Sequence, residues 1–348
     1  MVIIIGAGLS GLLTAYRLKQ HGIDFKILEA RGRVGGRIHT LYGENQTPME
    51  MGATWFGPQH RNLIALIKEM NFDYFPQYHS ADYYFYDPNS PQNGQYPLPD
   101  QTPSYRFANG TSQIIHHLAS LVGQEHILLQ KEVTNIEIAD QVIIKTDNDD
   151  RFSCEKVIIT IPPKVWATQI HFSPEIPSSL IQVAKATQTW MEDSTKAALE
   201  YQKPFWREGN KTGTIFSNYG PFTECYDHSN QEETKFSLCG FLNPSLNELS
   251  QEERKERVIH QLSAILGDDA KNYINYQETL WEDDPLVKVS KGQWNQPHQN
   301  NGHPIFRENY FDGKVIFSGS ETSDYYPGYM EGAVQSANLA VEKLVTVL

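Results

Sequence analysis

Residues 2 to 37 restrict the fold of this chain more than any other stretch. Four apolar residues, Val2, Ile3, Ile4 and Ile5, run into Gly6-Ala7-Gly8-Leu9-Ser10-Gly11, and an apolar-periodic segment follows to His21. Such an unbroken apolar run suits a parallel strand covered on both faces. In a GxGxxG turn, Gly6 permits the sharp reversal, Gly8 lets the main chain approach a pyrophosphate, and Gly11 lets the helix pack close to the strand. The helix expected from Leu9 presents free N–H groups and its positive dipole end to that phosphate. Leu12, Leu13, Tyr16 and Leu18 give it an apolar side, and Gly22 suits its stop. A second strand then ends at Glu29, about 20 residues past the first glycine. A carboxylate there would accept the two hydroxyls of an adenosine ribose and repel a 2′-phosphate.

Past that carboxylate, Arg31, Arg33 and Arg37 surround Gly35-Gly36. Arginine forks pair with phosphate oxygens, and glycines let the main chain come close. With this run the chain resembles the FAD-binding fold of the glutathione-reductase type, and especially the flavin amine oxidase family. The resemblance implies FAD in place of NAD. It also implies an α/β fold: a Rossmann-like FAD-binding domain of the glutathione-reductase type with a smaller α+β substrate domain. The expected FAD-binding domain is discontinuous (1–78, 107–186 and 283–348), and 79–106 with 187–282 form the expected substrate-binding domain. Cofactor contacts are implied at Gly6, Ala7, Gly8, Leu9, Ser10, Gly11, Glu29, Ala30, Arg31, Gly36 and Arg37.

A chain of 348 residues is long enough for two domains, each with its own core. A net charge of −13 disfavours nucleic acid and anionic membrane surfaces and is compatible with cationic small molecules. The acidic residues are spread along the chain, so solvated faces account for them as well. Cys154, Cys225 and Cys239 form no CxxC pair, which leaves no dithiol partner for a flavin and no zinc knuckle. Scattered thiols suggest a reducing, cytoplasmic setting. The first strand opens at residue 2, so no signal peptide is expected. No apolar run approaches the ~18 residues that cross a bilayer.

Along the chain, Glu50-Met51-Gly52-Ala53-Thr54-Trp55 is similar to the acidic-x-Gly-small-x-aromatic stretch that lies beside the isoalloxazine in the flavin oxidases. Gly52, Ala53, Thr54 and Trp55 are implied contacts. Residues 60–70 read as a helix with Leu63, Leu66, Ile67 and Met70 on one side. Tyrosines and prolines between 79 and 106 predict an irregular or short-stranded excursion; the family's matching insertion is longer and helical. A helix bearing Ile114, Ile115 and Leu118 carries His116 and His117. Adjacent helical residues point about 100° apart and make poor co-ligands, so no metal is expected. Strand-like runs follow at 127–129, 133–138, 142–145 and 157–161, and the family places the Val133 position against the adenine. Ser250 with Glu253 makes a capping box for a helix ending at Gly267.

Three elements carry the expected chemistry. Lys196 lies in a β-compatible run before Pro204-Phe205-Trp206-Arg207. Apolar and β-compatible residues around it suggest a strand entering a core, where a lysine must find a partner or lose its charge. A surface lysine on an edge strand is the alternative; by the resemblance it reaches flavin N5 through a water. Trp281 opens a family-like element usually followed by an aromatic residue facing the flavin. The spacing to Trp294 is a few residues longer than usual, and Trp294 is the candidate for that ring. No cysteine lies between 240 and 348, so the thioether link of mitochondrial monoamine oxidases is excluded and FAD is expected to be noncovalent. Finally, Gly319-Ser320-Glu321 leads to Gly328-Tyr329-Met330-Glu331-Gly332-Ala333, which matches the amine oxidases almost letter for letter. Gly319, Ser320, Glu321, Met330 and Ala333 are implied cofactor contacts. Tyr329 would stand upright on the substrate side, facing Trp294 or another ring. The chain ends with this helix, so the mitochondrial membrane-anchoring tail is not expected.

The resemblance thus implies oxidation of a small amine. Hydride passes from the carbon next to nitrogen to flavin N5, the imine is hydrolysed, and O2 returns the flavin to its oxidised state with release of H2O2. A desaturase or protoporphyrinogen-oxidase type of enzyme, or a flavin-binding protein without turnover, is the alternative. An amino-acid substrate would want an arginine such as Arg61 or Arg106, and a polyamine an acid such as Glu224 or Asp283. Neither the amine nor the oligomeric state is written in the sequence.

Overall fold

The Val2–Ile5 strand sits in the middle of a five-stranded parallel sheet, in a computed structural model that describes residues 1–89, 92–290 and 295–346. Its neighbours are Lys156–Ile159 on one side and Phe25–Leu28 on the other; Val315–Phe317 and Ile127–Leu128 close the two edges. All four residues of the strand are buried, and they feed two different cores. Val2 and Ile4 pack with Leu12, Leu18 and Val334 on one face, whereas Ile3 packs with Ile136, Trp166 and Phe317 on the other. That double coverage is why the run is continuous rather than alternating. Burying each such side chain is worth roughly 1.5–3 kcal/mol.

The helix Leu9–Gln20 follows the glycine turn as expected, and the helix Met330–Thr346 lies beside it. Ser10 Oγ joins the two, 3.4 Å from Ser336 Oγ, and lies 3.0 Å from Ser318 Oγ just past the Val315–Phe317 strand. The opposite face of the parallel sheet is covered by a second sheet of Arg151–Cys154, Val142–Thr146, Val133–Ile138 and His171–Ser173. Arg151–Cys154 has no strand signature in the sequence. Only Cys154 of its four residues is buried, as befits an edge strand with a wet side.

A seven-stranded sheet forms the other large layer of the fold. Its order is Tyr273–Leu280, Thr195–Tyr201, Phe236–Leu242, Phe222–Asp227, Ile215–Phe216, Asp82–Phe85 and Gly94–Pro97. The tyrosine- and proline-rich stretch therefore becomes the hairpin that extends this sheet, with no helix among its described residues. The helix Gln251–Leu266 packs Val258, Leu262 and Leu266 against one face of the sheet, and the Ser250–Glu253 capping box holds its start. The fold is mixed α/β. Among the described residues no helix is long and apolar enough to cross a membrane.

Candidate active site

A cavity of about 790 Å³ is walled by the glycine turn on one side and the seven-stranded sheet on the other. Of the residues singled out in the sequence, Gly6, Gly8, Leu9, Ser10, Glu29, Ala30, Arg31, Gly36, Arg37, Val133 and Trp281 line it. So do Gly52 to Trp55, Lys196, Ser320, Tyr329, Met330 and Ala333. Ala7, Gly11, Gly319 and Glu321 stand behind this wall. Trp294 lies outside the described residues.

Two glycines of the turn do different work. A Cβ on Gly11 would fall 2.0 Å from the Gly6 carbonyl oxygen, so a side chain there is incompatible with the helix packing on the turn. A Cβ on Gly8 would meet nothing within 4 Å, although Gly8 borders the cavity. The space above Gly8 is therefore room for a ligand, as a pyrophosphate requires. Glu29 is held in place from below: its two carboxylate oxygens accept the backbone N–H groups of Ala7 at 2.7 Å and Arg31 at 2.9 Å. These residues fit the adenosine and diphosphate portions of FAD.

The arginines are less free than their spacing suggests. Arg31 donates to Asp284 at 2.6 Å, which ties the segment after Trp281 to the ribose end. Arg33 turns onto the carbonyls of Val34 and Gly36. Arg37 grips both oxygens of Glu321, at 2.6 and 2.9 Å, and also reaches Ser320 Oγ and the Trp190 carbonyl. Burial raises the pKa of the Glu321 carboxyl, but the Arg37 guanidinium outweighs it and holds the carboxyl below its usual range. Arg37 thus lines the cavity with its fork already taken by protein, so that what it offers a phosphate is chiefly positive charge, whereas Arg31 commits one end of its fork to Asp284.

Lys196 occupies the other end. Its strand is buried throughout and lies between Tyr273–Leu280 and Phe236–Leu242, so the edge-strand reading of this lysine is wrong. Nζ donates to the Gly52 carbonyl at 2.9 Å and to Thr54 Oγ1 at 2.6 Å. It also sits 4.7 Å from the Trp55 ring centroid and 5.3 Å from that of Phe241. Burial lowers the Lys196 pKa, opposed by Cys239 and by the buried carboxyl of Glu50. Trp55 is fixed by Nε1 donating to Gln77 Oε1 at 2.8 Å. Gly52 proves to be a packing glycine. The 50–53 segment is zipped to 37–40, and a Cβ on Gly52 would lie 2.1 Å from the Arg37 carbonyl oxygen.

Tyr329 stands at the start of the last helix, within a cluster of rings. Trp190 lies 5.4 Å away at 43°, and His298 lies 5.8 Å away at 24° while stacking on Trp190 at 3.9 Å. Gly328, at φ +88°, makes space for this arrangement: a Cβ there would lie 2.7 Å from Trp190 Cβ. Trp190 and Phe241 both line the cavity and were not foreseen. Trp190 sits in the polar stretch Gln188-Thr189-Trp190-Met191-Glu192 with no periodic context, and a lone tryptophan there was the available signal. Phe241 becomes visible only through its pairing with Lys196 across two strands.

Of the substrate-recognition candidates, Glu224 lines the cavity, whereas Arg61, Arg106 and Asp283 do not. Arg106 is buried elsewhere, donating to the carbonyls of His228 and Ser229. His116 is exposed, and no group of metal-binding side chains occurs among the described residues.

A family model described as flavin containing amine oxidoreductase matches residues 9–101 and 93–345. A probable flavin-containing monoamine oxidase A from Dictyostelium discoideum is 24% identical over 444 residues, covering 96% of this chain and 95% of that protein. Flavin-containing amine oxidase A from Sus scrofa is 22% identical over 465 residues, covering 100% and 85%. Among solved structures, a wild-type putrescine oxidase bound to putrescine superposes with a TM-score of 0.83 at 20% identity, over 99% of this chain and 98% of that one. Cyclohexylamine oxidase from Brevibacterium oxydans IH-35A gives 0.82 at 20% identity, over 99% of both chains. These structural likenesses establish the shared fold.

Proposed function

Because the chain belongs to the flavin containing amine oxidoreductase family, we propose that it oxidises a small amine with noncovalently held FAD and O2 as electron acceptor. The observation that carries this reading is one cavity shared by Gly8 and Glu29 at one end and Lys196 and Tyr329 at the other. Gly8, Glu29, Arg31 and Val133 would hold the adenosine diphosphate portion. Gly52 to Trp55, Trp281, Met330 and Ala333 would hold the ring. The parallel sheet with its glycine turn supports a glutathione-reductase type of FAD-binding domain (1–78, 107–186 and 283–348). The seven-stranded sheet supports a substrate domain made of 79–106 and 187–282. Three buried free cysteines suit a reducing, cytoplasmic compartment.

Bound FAD would supply the acceptor for hydride from the carbon next to nitrogen and deliver its electrons to O2. The chain's own residues set the stage for that transfer. An alkylamine with a lysine-like pKa of ~10.4 costs roughly 4.6 kcal/mol to deprotonate at pH 7. The rings of Trp55, Phe241, Tyr329 and Trp190 exclude water around it, which lowers that pKa by desolvation. No separate general base is needed. Lys196, poorly solvated and anchored on Thr54, would hold a water at Nζ. The last helix begins at Met330 and turns its positive end to the cavity, favouring negative charge there.

The test is an amine panel with the FAD-loaded full chain and peroxide detection. Hydrogen peroxide formed with at least one amine is expected. Tight flavin binding with no peroxide from any amine would favour the non-catalytic alternative.

A further inference from the structure

Three adjacent strands bring Lys196, Phe241 and Glu224 into a single row. Lys196 on Thr195–Tyr201 pairs with Phe241 on Phe236–Leu242, and Phe241 pairs in turn with Glu224 on Phe222–Asp227. Residues directly opposed in an antiparallel ladder project from the same face. All three residues line the cavity. With strands about 4.8 Å apart, the backbone at Glu224 lies roughly 10 Å from that at Lys196. The row therefore reads cation, aromatic ring, anion.

Glu224 is placed to accept a cation. It is exposed, and the Tyr226 hydroxyl donates to its Oε2 at 3.0 Å, which orients the carboxylate and leaves Oε1 available. Among the described residues no lysine or arginine pairs with it. Two other carboxylates on the wall are already engaged: Glu29 by the N–H groups of Ala7 and Arg31, and Asp193 by Lys288. Glu132 sits next to Val133, at the end assigned to adenine. The Tyr226 ring meets Trp55 edge-on at 5.3 Å, and Trp55 in turn covers Lys196. The carboxylate is thus tied to the reactive end through a short chain of packed side chains.

We propose that Glu224 receives the distal ammonium of a substrate with two amino groups, an α,ω-diaminoalkane or longer polyamine. This rests on the amine-oxidase reading above and names the substrate class of that site. The near amino group lies towards Lys196 and Tyr329, in the dry part of the cavity, where the neutral form is favoured. The methylenes cross Phe241. The distal amino group stays protonated because Glu224 is in contact with solvent, so the substrate keeps one charge, at the end where a carboxylate meets it. A monoamine of the same length fills the same path and leaves Glu224 hydrated.

The experiment compares kcat/KM for 1,4-diaminobutane with that for n-butylamine, using the FAD-loaded full chain as wild type, Glu224→Gln, Glu224→Asp and Glu224→Lys. For the wild type the diamine should lead by roughly tenfold or more, the scale of one charge-assisted hydrogen bond. Glu224→Gln should bring the ratio close to one, mostly through KM; Glu224→Asp should restore part of it, and Glu224→Lys should invert it. The wild-type ratio should shrink as salt is raised, because the site is exposed. A wild-type ratio near one, or a preference that survives Glu224→Gln, overturns the proposal while leaving amine oxidation standing. If neither amine is oxidised and no other amine reduces the flavin, the underlying reading fails and this one fails with it.

Discussion

Lys196 Nζ and Thr54 Oγ1 lie 2.6 Å apart, and the Thr54 hydroxyl donates its own hydrogen to the Gly52 carbonyl at 2.9 Å, which also accepts from Lys196. The lysine is thereby held in a closed triangle at the cavity wall, with Trp55 and Phe241 as its remaining neighbours. A buried ammonium without acceptors would be costly. These two oxygens explain how a lysine persists in the middle of a buried strand.

Removing the hydroxyl should therefore show in the proton affinity of Lys196. Thr54→Val deletes one acceptor of a buried donor, a loss of roughly 1–3 kcal/mol. The Lys196 pKa, already lowered by burial, should fall further, and Thr54→Ser should restore it. The pH profile of kcat is the readout. Superimposable profiles for wild type and Thr54→Val would remove Thr54 from this role.

Lys196→Met should leave FAD bound, since Glu29, Gly8 and Arg31 at the nucleotide end are untouched. Flavin reduction or its reoxidation should slow by about a hundredfold, the lower end of what a side chain positioned at the reacting centre contributes, through loss of the water held at Nζ. Stopped-flow traces of both half-reactions check this. Unchanged rates in both would deprive Lys196 of any part in the chemistry.

The two turn glycines should separate cleanly. Gly11→Ala drives a methyl into the Gly6 carbonyl and should cost roughly 1–3 kcal/mol or more of stability. Gly8→Ala meets no protein atom, so the melting temperature of the flavin-free protein should hold while flavin retention drops. Thermal melts with and without FAD distinguish these outcomes.

Stability should also weaken in mild acid. Burial, aided by Arg33 and Arg31, lowers the His39 pKa to about 4, whereas an unfolded histidine titrates near 6.5. Between those values the unfolded chain binds a proton that the folded chain refuses, so stability is lost as pH falls through that window. His228, pushed well below its ordinary value by burial and by Arg106, acts in the same direction. Denaturant melts of wild type and His39→Gln across this range should differ in slope, with the variant flatter.

Local chemistry made the glycine turn, the first helix and the Tyr329 element legible in the sequence. Glycine spacing, an apolar strand and a helix start are properties of consecutive residues. The position of Lys196 was legible only by likeness, because a lysine in a β-compatible run is ambiguous until its strand gains neighbours on both sides. Trp190 and Phe241 were missed for the same physical reason. Each meets its partner across the fold, Trp190 through the space left by Gly328 and Phe241 through sheet register. The arginine forks were visible, but their protein partners Asp284 and Glu321, distant in sequence, were not.

The most direct measurement is an anaerobic titration of the FAD-loaded protein with a diamine and a monoamine, following flavin absorbance. The account predicts that the protein takes up flavin and that its yellow colour bleaches on adding amine and returns when O2 is admitted, with peroxide formed. A protein that binds no flavin, or a bound flavin that stays yellow with every amine, would contradict it.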